Sequence, residues 1–463
     1  MTRRFLLPMA LTTALAACAG PHTPTVAVAP LAPNAGWRTD TGPTAPIDRA
    51  WWESFGDPVL VKLVDAALQN NVDIGIATAR VREASAEVKA ARASFFPTIN
   101  AGVAGSTDRE LSPFLTPAEQ TSGEPQVSIS YEVDLFGRIA DTVSAARSGY
   151  LASQAARDAV RLAVASQVAS SYVTLRALDA RLEIARQTLA AREDSLRIAR
   201  SRTLAGYSPR LELAQAEAEY QAAAQIVPQV ELGIARQENS LRDLIGQTPG
   251  DVVRGSALEA IRRPTIPDGL PSGLLRRRPD IAQAEYQLAA ADSLLAAARK
   301  RFLPQLTLTG SAGVAFSTLL GNPVTLWSVG GSALAPIFEG GRLRAQAESA
   351  AAGRDQAAFG YRRVALGAFR EVEDALAAVR RNDEQVQILI KQRDALIVSV
   401  TLATNRYRAG YSPYLEQLDA QRQLLGAELA LAQAESDAVT ARISLYQAMG
   451  GGWSREAVIA SAA

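Results

Sequence analysis

The chain is written twice. Gly206-Tyr207-Ser208-Pro209 recurs as Gly410-Tyr411-Ser412-Pro413, and 410 minus 206 is 204 residues. The correspondence runs well past that turn: Ala90-Ala91-Arg92 leading to Phe95-Phe96-Pro97 returns as Ala297-Ala298-Arg299 leading to Phe302-Leu303-Pro304. Leu135-Phe136-Gly137-Arg138 likewise returns as Ile337-Phe338-Glu339-Gly340-Gly341-Arg342. A unit of this length is a whole architectural half, too long for a solenoid repeat, so the 463 residues form one body with internal pseudo-symmetry.

Composition excludes several classes of function. With 48 basic and 47 acidic residues the formal charge is +1, which removes the electrostatic footprint of a nucleic-acid binder. One Cys and one His, Cys18 and His22, cannot build a disulfide framework, a zinc site, or a triad based on histidine. Carboxylates are the one remaining catalytic option and no pocket motif frames them; Glu339-Gly340-Gly341-Arg342 is too short for a phosphate loop. No enzyme, metal or cofactor is expected.

Arg3-Arg4, an apolar run from Phe5 to Leu15, and Leu15-Ala16-Ala17-Cys18 make a signal peptide whose cleavage site resembles a bacterial lipobox. Cleavage there leaves Cys18 as the first residue, carrying diacylglycerol and an N-acyl chain, an anchor to a membrane rather than a span. The lipobox resemblance further implies that Ala19, a neutral residue at the next position, does not oppose sorting to an outer membrane. The Pro-, Thr- and Ala-rich stretch that follows reads as an extended tether. After Trp51-Trp52-Glu53-Ser54-Phe55, Asp57-Pro58 caps and opens the first helix.

Between Arg138 and Thr203 there is no proline, and apolar residues at Val164, Val168, Leu175, Leu178, Leu182, Ala185, Leu189, Leu196 and Ala199 alternate steps of three and four, with Ser171 and Arg192 filling the remaining seam positions. At ~1.5 Å per residue that helix approaches 100 Å. The pattern resumes after the Gly206 turn at Ala216, Tyr220, Ala223, Val227, Val230, Ile234, Leu241 and Leu244, a second helix returning antiparallel, with a kink or break expected at Pro228. Positions 204 further on repeat this register, with many alanines that let helices approach closely.

Two strands are predicted in each half. In Gln126 to Leu135, Val127, Ile129, Tyr131, Val133 and Leu135 alternate with Gln126, Ser128, Ser130, Glu132 and Asp134, and Thr98 to Ser106 precedes it. The second half offers Leu306, Leu308, Gly310 and Ala312, then Trp327, Val329, Ala333, Ala335 and Ile337, against hydroxyl residues. No segment carries about 18 continuous apolar residues, so any membrane crossing is by a barrel of strands ~9–11 residues long. Four strands cannot close a barrel alone, and three copies would supply twelve.

These residues resemble the outer membrane factor family, the TolC-like channels, and within it the lipoprotein branch of the NodT and OprM type. The resemblance rests on the lipobox, Trp51-Trp52 with Phe55 and Asp57-Pro58, Asn70-Asn71-Val72-Asp73-Ile74, and Tyr131-Glu132-Val133-Asp134-Leu135-Phe136-Gly137. Leu275-Arg276-Arg277-Arg278-Pro279-Asp280-Ile281 and Tyr414-Leu415-Glu416-Gln417-Leu418-Asp419-Ala420-Gln421-Arg422 complete it. It implies a mainly α fold with a small β part. In a homotrimer the four transmembrane strands of each protomer make a twelve-stranded barrel in the outer membrane lipid, and long antiparallel helical hairpins make a periplasmic α-barrel. It implies the passive exit duct of a tripartite RND-type efflux system, with a periplasmic adaptor and an inner-membrane pump as partners. The same fold also serves one-step (type I) protein secretion. A lipid-anchored periplasmic coiled-coil scaffold without a pore is the reading from another class, and it leaves the paired amphipathic strands unexplained.

The organisation so read is a signal peptide over 1–17, a lipidated tether over 18–50, a first channel repeat over 51–250, a connector over 251–275, a second repeat over 276–450 and a tail over 451–463. Strands are expected at about 98–107, 126–135, 305–314 and 325–337, and hairpins at 138–246 and 341–449. At the hairpin tips Gly206 and Gly410 allow the reversal, Ser208 and Ser412 are read as caps of the next helices, and Pro209 and Pro413 as first-turn residues. Glu416 and Asp419, three apart, lie on one helix face. By resemblance Leu415 and Asp419 match the apolar and acidic constrictions of the lipoprotein branch. Tyr407, Glu212, Glu416 and Asp419 fall where TolC-like tips carry a locking tyrosine and acidic residues. The chain departs in having Glu at position 416 and Gln215 where the first copy would repeat Asp419.

Overall fold

A computed structural model describes residues 25, 36–39, 44–45, 47–111, 117–267, 269, 271–318 and 321–454. Cys18 with its cleavage motif, and the tail beyond 454, lie outside the described residues. The chain forms two compact units that do not correspond to the two sequence halves. Among the described residues, one comprises 25, 80–111, 117–153, 283–318 and 321–362, the other 36–39, 44–45, 47–79, 154–267, 269, 271–282 and 363–454. The strands are β1 (Thr98–Leu111), β2 (Pro117–Val133), β3 (Gln305–Ser317) and β4 (Val324–Leu334). The helices are α1 (Pro58–Asn70), α2 (Val72–Ala93), α3 (Arg138–Leu204), α4 (Arg210–Ala224), α5 (Ile226–Leu244), α6 (Pro271–Arg277), α7 (Pro279–Lys300), α8 (Arg342–Arg408) and α9 (Tyr414–Ala448).

In the first unit the four strands form one antiparallel sheet in the order β1-β2-β3-β4. The register brings the separate alternations of all four onto common faces. Ala101, Val127, Ala312 and Trp327 stand in one row, while Asn100, Ser128, Ser311 and Ser328 stand in the next. The first row belongs to an apolar face and the second to a hydroxyl face, where Ser311 Oγ and Ser328 Oγ share a hydrogen bond of 2.8 Å. A slip of one residue between any two strands would mix the faces. From Leu306 to Phe316 the apolar stripe of β3 runs about 33 Å along the strand at ~3.3 Å per residue, or about 25 Å at the ~40° tilt of a membrane barrel. Nothing among the described residues covers this face: Val103 is 82% and Trp327 76% exposed. Every residue of the edge strands β1 and β4 is exposed as well.

The strand bounds differ from the periodicity in instructive places. The β1–β2 hairpin extends to Leu111 and Pro117, past the point where apolar alternation ends. Cross-strand hydroxyl pairs continue it, Ser106 with Ser122 at 3.2 Å and Thr107 with Thr121 at 3.1 Å. β4 stops at Leu334 rather than near 337, because Pro336 has no N–H for the ladder. β2 stops at Val133 because Asp134 becomes a cap: its carboxylate accepts from the N–H groups of Ile139, 3.1 Å, and Ala140, 2.8 Å, at the start of α3.

The second unit is helical and takes in residues 154–204 of α3 and 363–408 of α8. Both helices are 67 residues long, equal in the two copies. Their return helices are not equal. α9 runs unbroken from Tyr414 to Ala448, whereas its counterpart is interrupted at Gln225. Pro228 explains the break, since it offers no N–H to the carbonyl four residues earlier and its ring crowds that carbonyl; the second copy has Ala432 at the matching place. The expected seam is largely buried, including Val168, Leu175 and Ala199. Trp51, Phe55, Leu60, Val64, Tyr172, Ile443 and Tyr446 close the main core, with the Trp51 and Tyr446 rings stacked 5.4 Å apart. At its centre the fully buried Asp57 caps α1 and accepts from Tyr172 Oη, 2.9 Å, and from Ser256 N–H, 2.9 Å. Burial, then this hydrogen bond, raises the Tyr172 phenol above its ordinary range. Arg278 of the Arg276-Arg277-Arg278 run holds the end of α9 through Ala448 O, 2.9 Å, and pairs with Asp280 and Glu371, both at 2.7 Å. The expected tether is tied down where it is described: Trp37 donates to Gly269 O, 2.7 Å, and residues 44–45 pair with 266–267.

Candidate functional site

The two hairpin tips lie in the helical unit and share one backbone solution. Gly206 N–H bonds Thr203 O, 3.1 Å, and Tyr207 N–H bonds Arg202 O, 2.9 Å. Gly410 N–H bonds Tyr407 O, 3.0 Å, and Tyr411 N–H bonds Arg406 O, 2.8 Å. Both are Schellman endings, and both glycines occupy the left-handed region, at φ 78° and 80°. The serines do not cap. Pro209 and Pro413 themselves occupy the N-cap positions, without side-chain capping bonds, and the helices begin at Arg210 and Tyr414. Their fixed φ matches the extended cap conformation, which leaves the preceding serines outside the helix. Ser208 Oγ shares a hydrogen bond of 3.2 Å with Thr203 Oγ1, whereas the buried Ser412 Oγ has no partner among the described residues.

Above the turns the first hairpin grips the end of the second. Tyr407, 1% exposed, donates its phenol to Glu212 Oε1. Arg202 lies over the Tyr407 ring, 4.5 Å from its centre, and donates to Tyr407 O and Arg408 O, each at 3.0 Å. These are last-turn carbonyls of α8, so a cation there also meets the negative end of the helix. Arg408 Nη2 reaches Asp194 Oδ2 at 3.0 Å. Hydrogen bonds from Arg197, and then from Arg408, hold the Asp194 carboxyl below its usual range. Burial, then the Glu212 hydrogen bond, pushes the Tyr407 phenol well above the ordinary tyrosine range. The grip is one-sided: Arg406, the repeat counterpart of Arg202, turns to Glu416 of its own hairpin at 3.3 Å.

The expected residues therefore separate into groups. Tyr407 and Glu212 meet. Glu416 is engaged by Arg406, and Asp419 accepts from Gln423 Nε2, 2.7 Å, one turn along its own helix. Leu415 is 57% exposed, and with Asp419 it lies on an exposed stripe of α9.

A second tier was not read from the sequence. Arg192, 3% exposed, donates to Gln421 Oε1 and stands 3.7 Å from Glu219 Oε2, which Arg422 also pairs with. Tyr414, buried beside Tyr407 with ring centres 5.6 Å apart, completes this tier. Burial lowers the Arg192 guanidinium pKa and raises the Tyr414 phenol. The signal was present: an arginine on an apolar seam must find acceptors on a facing helix. Among the described residues no group of acids, histidine or cysteine is arranged to hold a metal.

Comparison with known proteins bears on what such tips belong to. The outer membrane efflux protein profile matches residues 63–247 and again 270–451, one match for each half and most of the chain together. The chain belongs to the outer membrane efflux protein family. It is 37% identical over 411 residues to the solvent efflux pump outer membrane protein SrpC of Pseudomonas putida, covering 87% of each. It is 34% identical over 462 residues to the pyoverdine export outer membrane protein OpmQ of the same species, covering 97% of each. Among solved structures, the outer-membrane channel OprN aligns at 30% identity with a TM-score of 0.84, over 94% of this chain and 99% of that one. The open-state MtrE channel of Neisseria gonorrhoeae aligns at 30% identity and 0.83, over 93% and 99%.

As an outer membrane efflux protein the chain resides in the outer membrane, with its helical part in the periplasm. The uncovered apolar face of the sheet is then the lipid face and the hydroxyl face the wet one. No helix among the described residues is long and apolar enough to cross a membrane, so the sheet is the part suited to lipid.

Proposed function

We propose that the protein is the passive outer membrane exit duct of a tripartite efflux system for drugs or other small solutes. Three copies form the conducting unit, an adaptor and an inner-membrane pump engage it, the pump supplies the energy, and this chain performs no catalysis. The observation that carries the reading is the sheet. Its lipid-suited face is in register across four strands, and both edges offer unpaired backbone that bilayer lipid cannot satisfy. Edge-to-edge pairing of three copies into a closed twelve-stranded barrel satisfies them. The relatives with solvent, toluene and pyoverdine export in their names support efflux of small molecules rather than secretion of protein.

The tips are the gate. In the described protomer, Glu212, Arg202 and Asp194 of the first hairpin hold Tyr407 and Arg408 of the second. Three-fold repetition turns Leu415 into an apolar constriction and Asp419 into a ring of carboxylates that favours cations at rest. The second hairpin is the part that opens: it carries the buried orphan atoms Ser412 Oγ and Gln417 Oε1, which an alternative arrangement can satisfy. Cys18 anchors the trimer through its lipid, which palmitate labelling of wild type against Cys18→Ser tests. The function itself is tested in a strain lacking its own outer channel. Expression with the cognate adaptor and pump restores solute export and resistance, and failure of a correctly localised trimer to restore either contradicts the assignment.

A further inference from the structure

The Trp51-Trp52 pair has a role in the core, but one side of it borders a cavity of about 410 Å³ that the channel function does not use. The cavity lies in the helical unit, between the segment preceding α1 (Arg49, Trp51 and Trp52) with Leu68 of α1, residues 157–165 of α3, and the glycine turn that follows α9. Its polar inventory is almost all donors. Arg49, Arg157 and Arg161 line it against a single carboxylate, Asp158. Asp158 is already taken, by Arg157 at 2.7 Å and by Trp453 Nε1 at 3.0 Å. The indole N–H groups of Trp51, which is 1% exposed, and of Trp52 are buried and have no hydrogen-bond partner among the described residues. Arg49 and Arg161 are exposed at the rim of the cavity, and among the described residues no carboxylate pairs with either.

One wall is made without side chains. Gly450, Gly451 and Gly452 follow one another at positive φ, 91°, 54° and 74°. A Cβ on Gly451 would lie 3.1 Å from Trp51 Nε1 and would overlap Leu162. Trp51, Trp52 and Trp453 supply three indole rings around this space. Buried donors without an acceptor are costly, and the Trp51 and Trp52 indole N–H groups are such donors. Arg49 and Arg161 are exposed on the rim, and with Arg157 against one carboxylate they give the space an excess of positive charge, so a ligand rich in acceptors and negatively charged complements it. Indole rings add flat apolar surface on which a ring can lie.

We propose that this cavity is a binding site for a carboxylate-bearing sugar. Its anionic group would be held between Arg49 and Arg161 and its ring laid against Trp52 and Trp453, which are only partly buried. Sugar acids of this chemistry are units of the cell wall that shares the periplasm with the helical part of the protein, so the site would tether the channel to that wall. It lies apart from the gating residues, and its test does not depend on transport.

Three of the five tryptophans line the cavity, which makes intrinsic fluorescence of the purified full-length protein the reporter. Titration with N-acetylmuramic acid and with muramyl dipeptide is expected to give a saturable change. The neutral N-acetylglucosamine and inorganic phosphate should each bind at least tenfold more weakly, the first lacking the charge and the second the ring. Arg161→Gln and Arg49→Gln should each weaken the sugar acid about tenfold, as expected for loss of a hydrogen bond to a charged group. Arg161→Lys should recover part of the loss, and Trp52→Phe, which keeps a ring but removes the donor, should weaken binding with little change in folding. Trimer content and single-channel conductance of the arginine variants should match wild type, which separates a ligand role from a structural one. No saturable change with either muramyl compound, or equal affinity in wild type and both arginine variants, overturns the proposal. Phosphate binding as tight as the sugar acid overturns the assignment of the ligand class.

Discussion

Removing one oxygen atom should unlatch the tip. Tyr407→Phe keeps the ring beneath Arg202, 4.5 Å away, and beside Tyr414, at 5.6 Å, and deletes only the phenol that donates to Glu212. A hydrogen bond to a charged partner contributes about 1.5–3 kcal/mol, and each ~1.4 kcal/mol is a factor of ten. One protomer's latch therefore weakens by roughly 10- to 100-fold. If three protomers open together, the change is about 4.5–9 kcal/mol, comparable to the ~5.5 kcal/mol that takes a two-state equilibrium from 1:99 to 99:1. Single-channel recording of the reconstituted protein should show a large rise in open probability, and cells should become sensitive to antibiotics normally too large to enter. Glu212→Gln should share most of this effect, and the double variant should add little, because both remove the same link. Because the Tyr407 pKa is raised, the latch is fully present below the ordinary tyrosine value of about 10 and is lost only as pH rises through its higher folded value. Unchanged open probability in Tyr407→Phe, or additive effects of the two substitutions, would refute this reasoning.

Other outcomes follow from the same structure. Val329→Arg, on the lipid face, should cost about 2–4 kcal/mol per protomer near mid-bilayer and abolish insertion, while Ser328→Arg on the wet face should insert normally and change conductance; heat-modifiability on gels checks both. Gly255→Ala drives a Cβ into the buried Asp57 carboxylate, so a cap and a buried hydrogen-bond centre are lost together, roughly 2–4 kcal/mol read as a lower melting temperature. Burial, with a smaller contribution from Glu259, raises the Glu435 carboxyl pKa against the lowering effect of Arg263. A raised acid stabilises the fold below its unfolded pKa of about 4.3 and ceases to do so as pH rises through its folded value. Glu435→Gln should therefore be more thermostable than wild type at neutral pH, with the gap closing as pH falls toward that value.

What the residues disclosed in advance was periodic. The 204-residue offset between Gly206 and Gly410, the heptad seam of α3 and the alternation of β2 and β3 are local patterns, and each emerged as helix or strand in the expected place. Pro228 marked the broken helix because its chemistry acts on the residue four back. The misreadings came where two local rules competed, as at Ser208 and Ser412, where a proline with preset φ displaced the serine from the cap position. The cross-hairpin grip was legible only in part. Tyr407 and Glu212 were drawn from family resemblance, but Arg202, Asp194 and Arg408 join across more than 200 residues of chain, and no periodicity encodes which faces of two hairpins meet. Arg192 was visible as an anomaly on its seam without its partners being nameable.

The central claim is that three copies of this chain enclose a water-filled path through a membrane. The most direct measurement is planar-bilayer recording of the purified, detergent-extracted protein, with its mass determined in the same preparation. A trimer giving discrete, uniform conductance steps, with Asp419→Asn lowering the preference for cations, is the predicted result. A trimer that inserts into the bilayer but passes no ions, in wild type and Tyr407→Phe alike, would contradict it.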